Sequence, residues 1–251
     1  MLEHPSLEKL QTLRLTGMLK ALQEQQYTRE IESLGFEERL GLLLDREMTE
    51  RQSKRLQTRL KKAKLRHHAA VEDIDYRHPR GLDRSLVLKL SDCQWIKEHQ
   101  NLIITGPTGI GKTWLACAFA HKACREGFSA LYTRLPRLLQ DLAIARGDGR
   151  YPKLMKELAK TNLLILDDWG LSPIKGDHLR DLLEILEDRN GRHSTLVTSQ
   201  LPVDKWFDYL GDPTLADAIL DRLIHNAHRI PLRGDSMRKN KEALTCTEIS
   251  N

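Results

Sequence analysis

Aromatic residues make up only 5% of this chain, and its four cysteines are scattered. Cys93, Cys117, Cys124 and Cys246 form no C-x-x-C pair, and no group of cysteine and histidine has the spacing of zinc ligands. A zinc ribbon and a disulfide-stapled secreted domain are therefore excluded, and the thiols read as reduced and structural. No apolar run approaches the roughly 20 residues that cross a bilayer. Met1-Leu2-Glu3-His4-Pro5 lacks the features of a secretion signal. Together these absences point to a cytoplasmic protein with no membrane partner.

Charge is abundant instead. Charged residues are 30% of the chain and the net charge is +5, a balance that favours an anionic partner. A length of 251 residues accommodates one sizeable α/β domain and a small accessory one. Residues 51–66 carry eight Lys or Arg, including Lys54, Arg55, Arg59, Lys61 and Lys62, and no acid. Leu56 and Leu60 give this stretch a thin apolar edge at i, i+4. It reads either as a helix that tracks phosphates or as one that rests on the acidic side of a partner protein.

One stretch carries defined chemistry. Gly106-Pro107-Thr108-Gly109-Ile110-Gly111-Lys112-Thr113 matches G-x-x-x-x-G-K-[ST], the phosphate-binding P-loop. Residues 102–105 before it read as a buried strand, and 114–120 after it as a helix. Gly106, Gly109 and Gly111 let the backbone turn tightly, so that N–H groups converge on a polyphosphate. The helix starting near Lys112 aims its positive end at the same place. Lys112 is expected to reach the β- and γ-phosphates of ATP, and the Thr113 hydroxyl to bind Mg²⁺. Residues 163–168 read as a second buried strand ending in two carboxylates. P-loop enzymes need one acid to hold Mg²⁺ and another to work on water. Asp167 is assigned to the ion, directly or through water, and Asp168 to general-base or water-positioning work.

Residues 1–75 read as a helical domain that binds a partner or DNA, and 76–251 as the P-loop domain. Leu15, Met18, Leu19 and Leu22 fall at i, i+3, i+4, i+7, and Phe36, Leu40, Leu43 and Leu44 at i, i+4, i+7, i+8, with Gly35 between the two helices. Pro79 and Gly81 mark the boundary linker. Adenine often lies near such a linker. From about residue 100 strands and helices alternate: a strand at 130–133, a helix at 136–145, a polar basic break over 146–153, then the carboxylate strand. A helix striped by Leu179, Leu182, Leu183 and Leu186 ends at Asn190-Gly191. A strand at 194–199, helices near 203–209 and 214–227, and a strand at 229–232 follow. The tail after about Asn240 is polar. This alternation predicts a parallel sheet with helices on both faces.

A P-loop alone does not choose among kinases, GTPases, transporters and motors. A guanine-specific Asn-Lys-x-Asp is missing, because Asn240-Lys241-Glu242-Ala243 fails at its last position. Other motifs decide: the P-loop with Trp114-Leu115-Ala116, Leu163-Leu164-Ile165-Leu166-Asp167-Asp168-Trp169-Gly170, Thr198-Ser199-Gln200-Leu201-Pro202, Asp217-Ala218-Ile219-Leu220-Asp221-Arg222-Leu223 and Ser236-Met237-Arg238. On these the chain resembles the AAA+ ATPases of the helicase-loader branch, in particular the IstB-like transposition helper proteins. The resemblance covers nearly the whole chain, including Ala145-Arg146-Gly147-Asp148-Gly149-Arg150-Tyr151.

The resemblance implies an α/β AAA+ P-loop NTPase, a parallel sheet flanked by helices, with a small all-α N-terminal domain, and makes 76–251 the ATPase domain. It implies ATP and Mg²⁺ as cofactors. Ser199 then looks like the first sensor, with Thr198 beside it, and Arg222 like an arginine finger that reaches the γ-phosphate of a neighbouring subunit. Arg238 looks like the second sensor, acting in its own subunit. An insertion before the carboxylate strand contacts DNA in this branch; here it maps to 146–156, with Arg146, Arg150, Lys153 and Lys156 as phosphate contacts. The implied partners are duplex DNA, further copies of the chain in a ring or spiral, and the transposase of the same mobile element. Many AAA+ proteins carry glutamate where this chain has Asp168, one methylene shorter, which puts fast turnover in question. A replicative helicase loader would share the ATPase core and differ in residues 1–75. A scaffold that holds ATP with little turnover is the other rival. No base-reading motif is present, so DNA contacts are expected at backbone and shape.

Overall fold

The computed structural model describes residues 5–28, 31, 33–174 and 176–237. The chain divides into two compact units, Met1–Thr58 and Arg59–Asn251.

The first unit is helical. Helices α1 (Pro5–Thr12) and α2 (Thr16–Tyr27) precede α3 (Phe36–Ala63). The two helical stretches read from sequence at 36–44 and 51–66 are one continuous helix of 28 residues, because 45–50 contains neither Gly nor Pro to interrupt it. Gly17 lets α2 approach α3 closely: a Cβ there would lie 2.6 Å from the Glu47 Cα. Glu47 is 6% exposed and accepts from the amides of Gly17 at 2.6 Å and Met18 at 3.1 Å. Its carboxylate thus satisfies the orphan N–H groups at the start of α2. Arg51, one turn along α3, pairs with it at 2.6 Å.

The division falls inside α3, after Thr58, whereas the sequence places a boundary near residue 75. Residues 59–75 pack with the second unit. Arg59 Nε donates to the Cys124 carbonyl at 2.8 Å, and Ala63, Ala69 and Ile74 are buried.

The second unit is a five-stranded parallel sheet ordered β2-β3-β4-β1-β5. Helices α4 (Arg84–Ser91) and α5 (Gln94–Lys97) lead into β1 (Asn101–Thr105) and α6 (Lys112–Arg125). Then come β2 (Ala130–Arg134), α7 (Leu135–Asp148), α8 (Tyr151–Lys160), β3 (Leu163–Trp169) and α9 (Asp177–Arg189). The order closes with β4 (Ser194–Ser199), α10 (Trp206–Leu210), α11 (Pro213–Ile224) and β5 (Ala227–Pro231). Parallel strands covered on both faces favour continuous apolar sequence, which β1 has over 102–104 and β3 over 163–166; β4 is equally buried but carries Ser and Thr on either side of Leu196-Val197. Against the sheet, Trp169 and Trp206 stack with centroids 4.9 Å apart.

Two local readings change. Residues 146–153 are not an extended break: only Gly149, at φ 78°, and Arg150 separate α7 from α8. Pro152 sits in the first turn of α8, where a missing N–H costs nothing. The helix expected to reach 227 stops at Ile224, because Ala227 already pairs with Asn101 in the sheet.

Candidate nucleotide site

The P-loop follows β1 at the C-terminal end of the sheet and leads into α6. Gly106, at φ 146°, passes so near Leu232 that a Cβ would lie 2.5 Å from its carbonyl oxygen. Gly109, at φ 82°, meets Ser236 in the same way. Both positions require glycine on two counts, backbone angle and space. Lys112 Nζ donates to the carbonyls of Gly106 at 2.7 Å and Pro107 at 2.8 Å. Burial lowers the pKa of Lys112, while Asp167 and Asp168 pull it back up. A cavity of about 420 Å³ lies over this loop, lined by Thr108, Gly109, Gly111, Lys112, Thr113 and Trp114 together with Asp168 and Gln200.

Asp167 is fully buried and gathers hydroxyl groups from three elements. Thr113 Oγ1 of α6 lies 2.9 Å and 3.1 Å from its two oxygens, Tyr132 OH of β2 donates to it at 2.6 Å, and Thr198 Oγ1 of β4 donates to it. Arg66 Nη1 is 4.0 Å away. Burial and the Asp167 carboxylate keep the Tyr132 phenol protonated, with its pKa well above the ordinary value. Thr113 and Asp167 offer adjacent hard oxygen donors, which suit Mg²⁺ better than a softer metal. Among the described residues no cluster of three or more His, Cys, Asp or Glu could hold a metal, so an ion here would depend on these two groups and on phosphate oxygens.

Between Leu166 and Trp169 the register of β3 against β4 shifts by one residue, a β-bulge. Asp168 sits in it at φ 64°. In a regular strand successive side chains face opposite sides; with the bulge, Asp168 lines the cavity over the P-loop while Asp167 is buried behind Thr113, which also lines it. Left-handed backbone is several-fold enriched in Asp and Asn over longer side chains, which gives a local reason for aspartate rather than glutamate at this position. Asp168 N donates to Thr198 Oγ1 at 3.3 Å, and its carboxylate pairs with Arg134 Nε at 2.5 Å.

The other site residues from the sequence fall in distinct places. Ser199 Oγ donates to the Trp169 carbonyl at 2.8 Å and accepts from Leu201 N at 3.0 Å, so of the polar pair Thr198 is the residue that touches the carboxylates. Arg222 lies in the last turn of α11. Its carbonyl accepts from Asn101 Nδ2 at 2.8 Å, at the N-terminal end of β1, and its guanidinium pairs with Glu187. Arg238 lies outside the described residues; just before it, Met237 N donates to the Gly109 carbonyl at 3.1 Å. Arg146 stacks on Tyr151 at 4.0 Å and pairs with buried Asp181, and Arg150 pairs with Asp148 at 2.5 Å. Lys153 and Lys156 are exposed on α8, as are Lys54, Arg55, Lys61 and Lys62 on α3, whereas Arg59 is half-buried. Lys54 Nζ donates to Thr16 Oγ1 at 2.7 Å.

Sequence reasoning did not single out Arg66, Asp75, Arg80 and Met237, which also line the cavity, or Tyr132 and Arg134, which hold the carboxylates. Apart from Met237, which lies within Ser236-Met237-Arg238 but was given no role, none belongs to a spaced motif. The signals were the Pro79-Gly81 linker, for Asp75 and Arg80, and the Ser236-Met237-Arg238 motif, for Met237.

Comparison with known proteins agrees with this geometry. A crystal structure of DnaI superposes with a TM-score of 0.57 at 22% identity, over 66% of this chain and 91% of that one. DnaA bound to AMPPCP and single-stranded DNA superposes with a TM-score of 0.56 at 17% identity, over 74% and 57%. At such identities the likeness establishes the fold, the AAA+ P-loop NTPase sheet flanked by helices. An insertion sequence ATP-binding protein of Sinorhizobium fredii, y4pL, is 58% identical over 96% of this chain and 98% of its own length. The IS21 ATP-binding protein of Pseudomonas aeruginosa is 32% identical over 92% and 86%. Residues 8–245 match the family described as IstB-like ATP binding protein, and it is to this family that the chain belongs.

Proposed function

We propose that the chain is a DNA-stimulated ATPase that assembles as a homo-oligomer on duplex DNA and assists the transposase of its mobile element in choosing or preparing target DNA. The observation that carries the reading is the split of the phosphate machinery between the two ends of β1. Lys112, Thr113, Asp167 and Thr198 stand at its C-terminal end, and Arg222 at its N-terminal end. At about 3.3 Å rise per residue, a strand of this length separates its ends by more than ~13 Å. Arg222 therefore serves a neighbour's nucleotide, as an arginine finger supplied in trans.

Each residue then has a task. The P-loop amides and Lys112 bind the phosphates, and Thr113 and Asp167 would hold Mg²⁺. When bound, that ion would neutralise charge developing on the phosphate oxygens. Thr198 keeps both carboxylates in register. Asp168 orients the attacking water and accepts its proton, and Arg134 fixes the Asp168 carboxylate. Arg238 is assigned to phosphate in its own subunit, and Ser199 holds the turn after β4. For DNA, the exposed Lys153 and Lys156 are the phosphate contacts of α8, with Lys54, Arg55, Lys61 and Lys62 on α3. Arg146 and Arg150 reach DNA only by sharing themselves with Asp181 and Asp148. The names of the relatives tie the family to insertion sequences, which supports a transposase as the protein partner.

The test is fluorescence anisotropy of labelled duplex and single-stranded DNA with and without ATP. ATP-dependent preference for duplex is expected. A preference for single strands would move the assignment to a helicase loader. ATP turnover by Lys112→Ala equal to that of wild type would leave a nucleotide-holding scaffold.

A further inference from the structure

Two arginines of the second unit are almost fully buried, Arg80 at 2% and Arg189 at 1% exposure. Neither has an ion-pair partner among the described residues. Their surroundings differ otherwise. Arg189 is closed: Nε donates to Thr195 Oγ1 at 3.1 Å, Nη1 to the carbonyls of Leu158 at 2.5 Å and Thr161 at 2.7 Å, and Nη2 to that of Ser194. It ties α8, α9 and β4 together, and its burial pushes its pKa down to about 9.

Arg80 is open. Nη1 donates to the Ile110 carbonyl and to Met237 Sδ, both at 3.2 Å, and Nη2 to the Asp75 carbonyl at 3.1 Å, but Nε has no partner. The side chain forms part of the wall of the 420 Å³ cavity over the P-loop. Unlike Arg189, whose donors are taken up by neutral acceptors, Arg80 is a buried cation with an unpartnered donor on a cavity wall, and its desolvation cost is one that an anion in that cavity would offset. Asp75 is near enough to act on its charge but pairs with Arg77 instead, at 3.7 Å.

We infer that Arg80 is a residue of the nucleotide site, and that its buried charge is balanced by the phosphates of the bound nucleotide. The inference rests on the nucleotide reading of the cavity and adds a residue to it. It also gives the linker a role. Arg80 joins three segments around the cavity: the linker through Asp75, the P-loop through Ile110, and the chain after β5 through Met237. An anion that anchors the guanidinium anchors all three walls.

The experiment uses the full chain and a fluorescent ATP analogue, with inorganic pyrophosphate as competitor. Arg80→Met is expected to weaken both ligands by about tenfold or more, in parallel, and Arg80→Lys to restore most of each. Pyrophosphate lacks the base, so a residue that only shapes the adenine side would leave its binding untouched. Loss of the ATP analogue with pyrophosphate unchanged, or no loss of either, overturns the inference. If Arg80→Met does not fold, Arg80→Gln against Arg80→Lys makes the same comparison, and equal affinities there overturn it. Lys112→Ala is the separate check: full binding of both ligands in that variant overturns the nucleotide site itself, whereas full binding in Arg80→Met alone removes only the role of Arg80.

Discussion

The two units of this chain solve the problem of stability in opposite ways. The sheet unit buries whole strands; Leu102, Ile104, Leu163 to Leu166, Leu196 and Val197 are all at 0% exposure. The helical unit has no comparable interior. Its buried apolar side chains among the described residues are Leu7 and Ala21, and the contact at Gly17 and Glu47 is polar and close. Tyr27, Phe36 and Met48 are exposed at 86%, 79% and 59%. A unit that buries its apolar residues can hold side chains in precise positions, and the nucleotide-site residues described above all lie in that unit. The catalytic candidates all lie in the sheet unit, whereas the basic candidates divide between the two, Lys54 and Arg55 in the helical unit and Lys61, Lys62, Lys153 and Lys156 in the sheet unit.

Substitutions that act on one unit and spare the other test this contrast. The largest effect is expected from Arg222→Ala: hydrolysis should fall about 10³-fold or more in a steady-state ATPase assay, with ATP analogue affinity retained. Equal turnover would remove the inter-subunit mechanism. Asp168→Asn should lower turnover about 10²-fold. Because asparagine accepts the left-handed backbone, its melting temperature should stay near that of wild type, whereas Asp168→Glu should melt earlier and gain no speed. In the helical unit, Gly17→Ala should cost about 1–3 kcal/mol, because the new methyl meets backbone, and should leave ATP affinity unchanged. A loss of ATP affinity there would show that the units are not separable.

Smaller effects should sort the basic residues. Lys153→Ala and Lys156→Ala should each lower the slope of log affinity for duplex against log salt by about 0.9. Arg146→Ala should instead lower stability, since among the described residues it leaves buried Asp181 with only the Tyr151 hydroxyl as donor. The mildest effect is a pH dependence. Burial raises the pKa of Glu47, but Arg51 and the amides of Met18 and Gly17 outweigh this and lower it. A depressed folded-state pKa gives stability that is present above the ordinary glutamate value and lost as pH falls through the lowered one. The helical unit should therefore lose stability as an acid titration followed by circular dichroism passes below the ordinary glutamate range, and Glu47→Gln should flatten that response.

The sheet was legible because β1 and β3 are buried on both faces, so their apolar runs are unbroken and end in motif residues, and because β4, though mostly Ser and Thr, is rich in β-branched residues and ends in a motif. The P-loop was legible because its glycines are demanded locally. The bulge at Asp168 was not, since the same sequence would fit a regular strand until Thr198 and Arg134 are in place. Helix α8 was hidden by Gly149 and Pro152, which signal a loop until Pro152 is seen to lie in a first helical turn. Arg80 and Tyr132 reach the site only through tertiary packing, which no spacing in the chain records.

Arg222 and the P-loop stand at opposite ends of one strand. Under the proposed inter-subunit reading, each copy therefore gives at one end and receives at the other, and copies can stack only head to tail, with a direction. An open spiral of n copies holds n − 1 complete sites, and a lone copy holds none. The last copy in the row can hold ATP but has no neighbour to complete the reaction. Turnover per copy would thus rise with the length of the row, and the cap at one end would outlast the sites behind it.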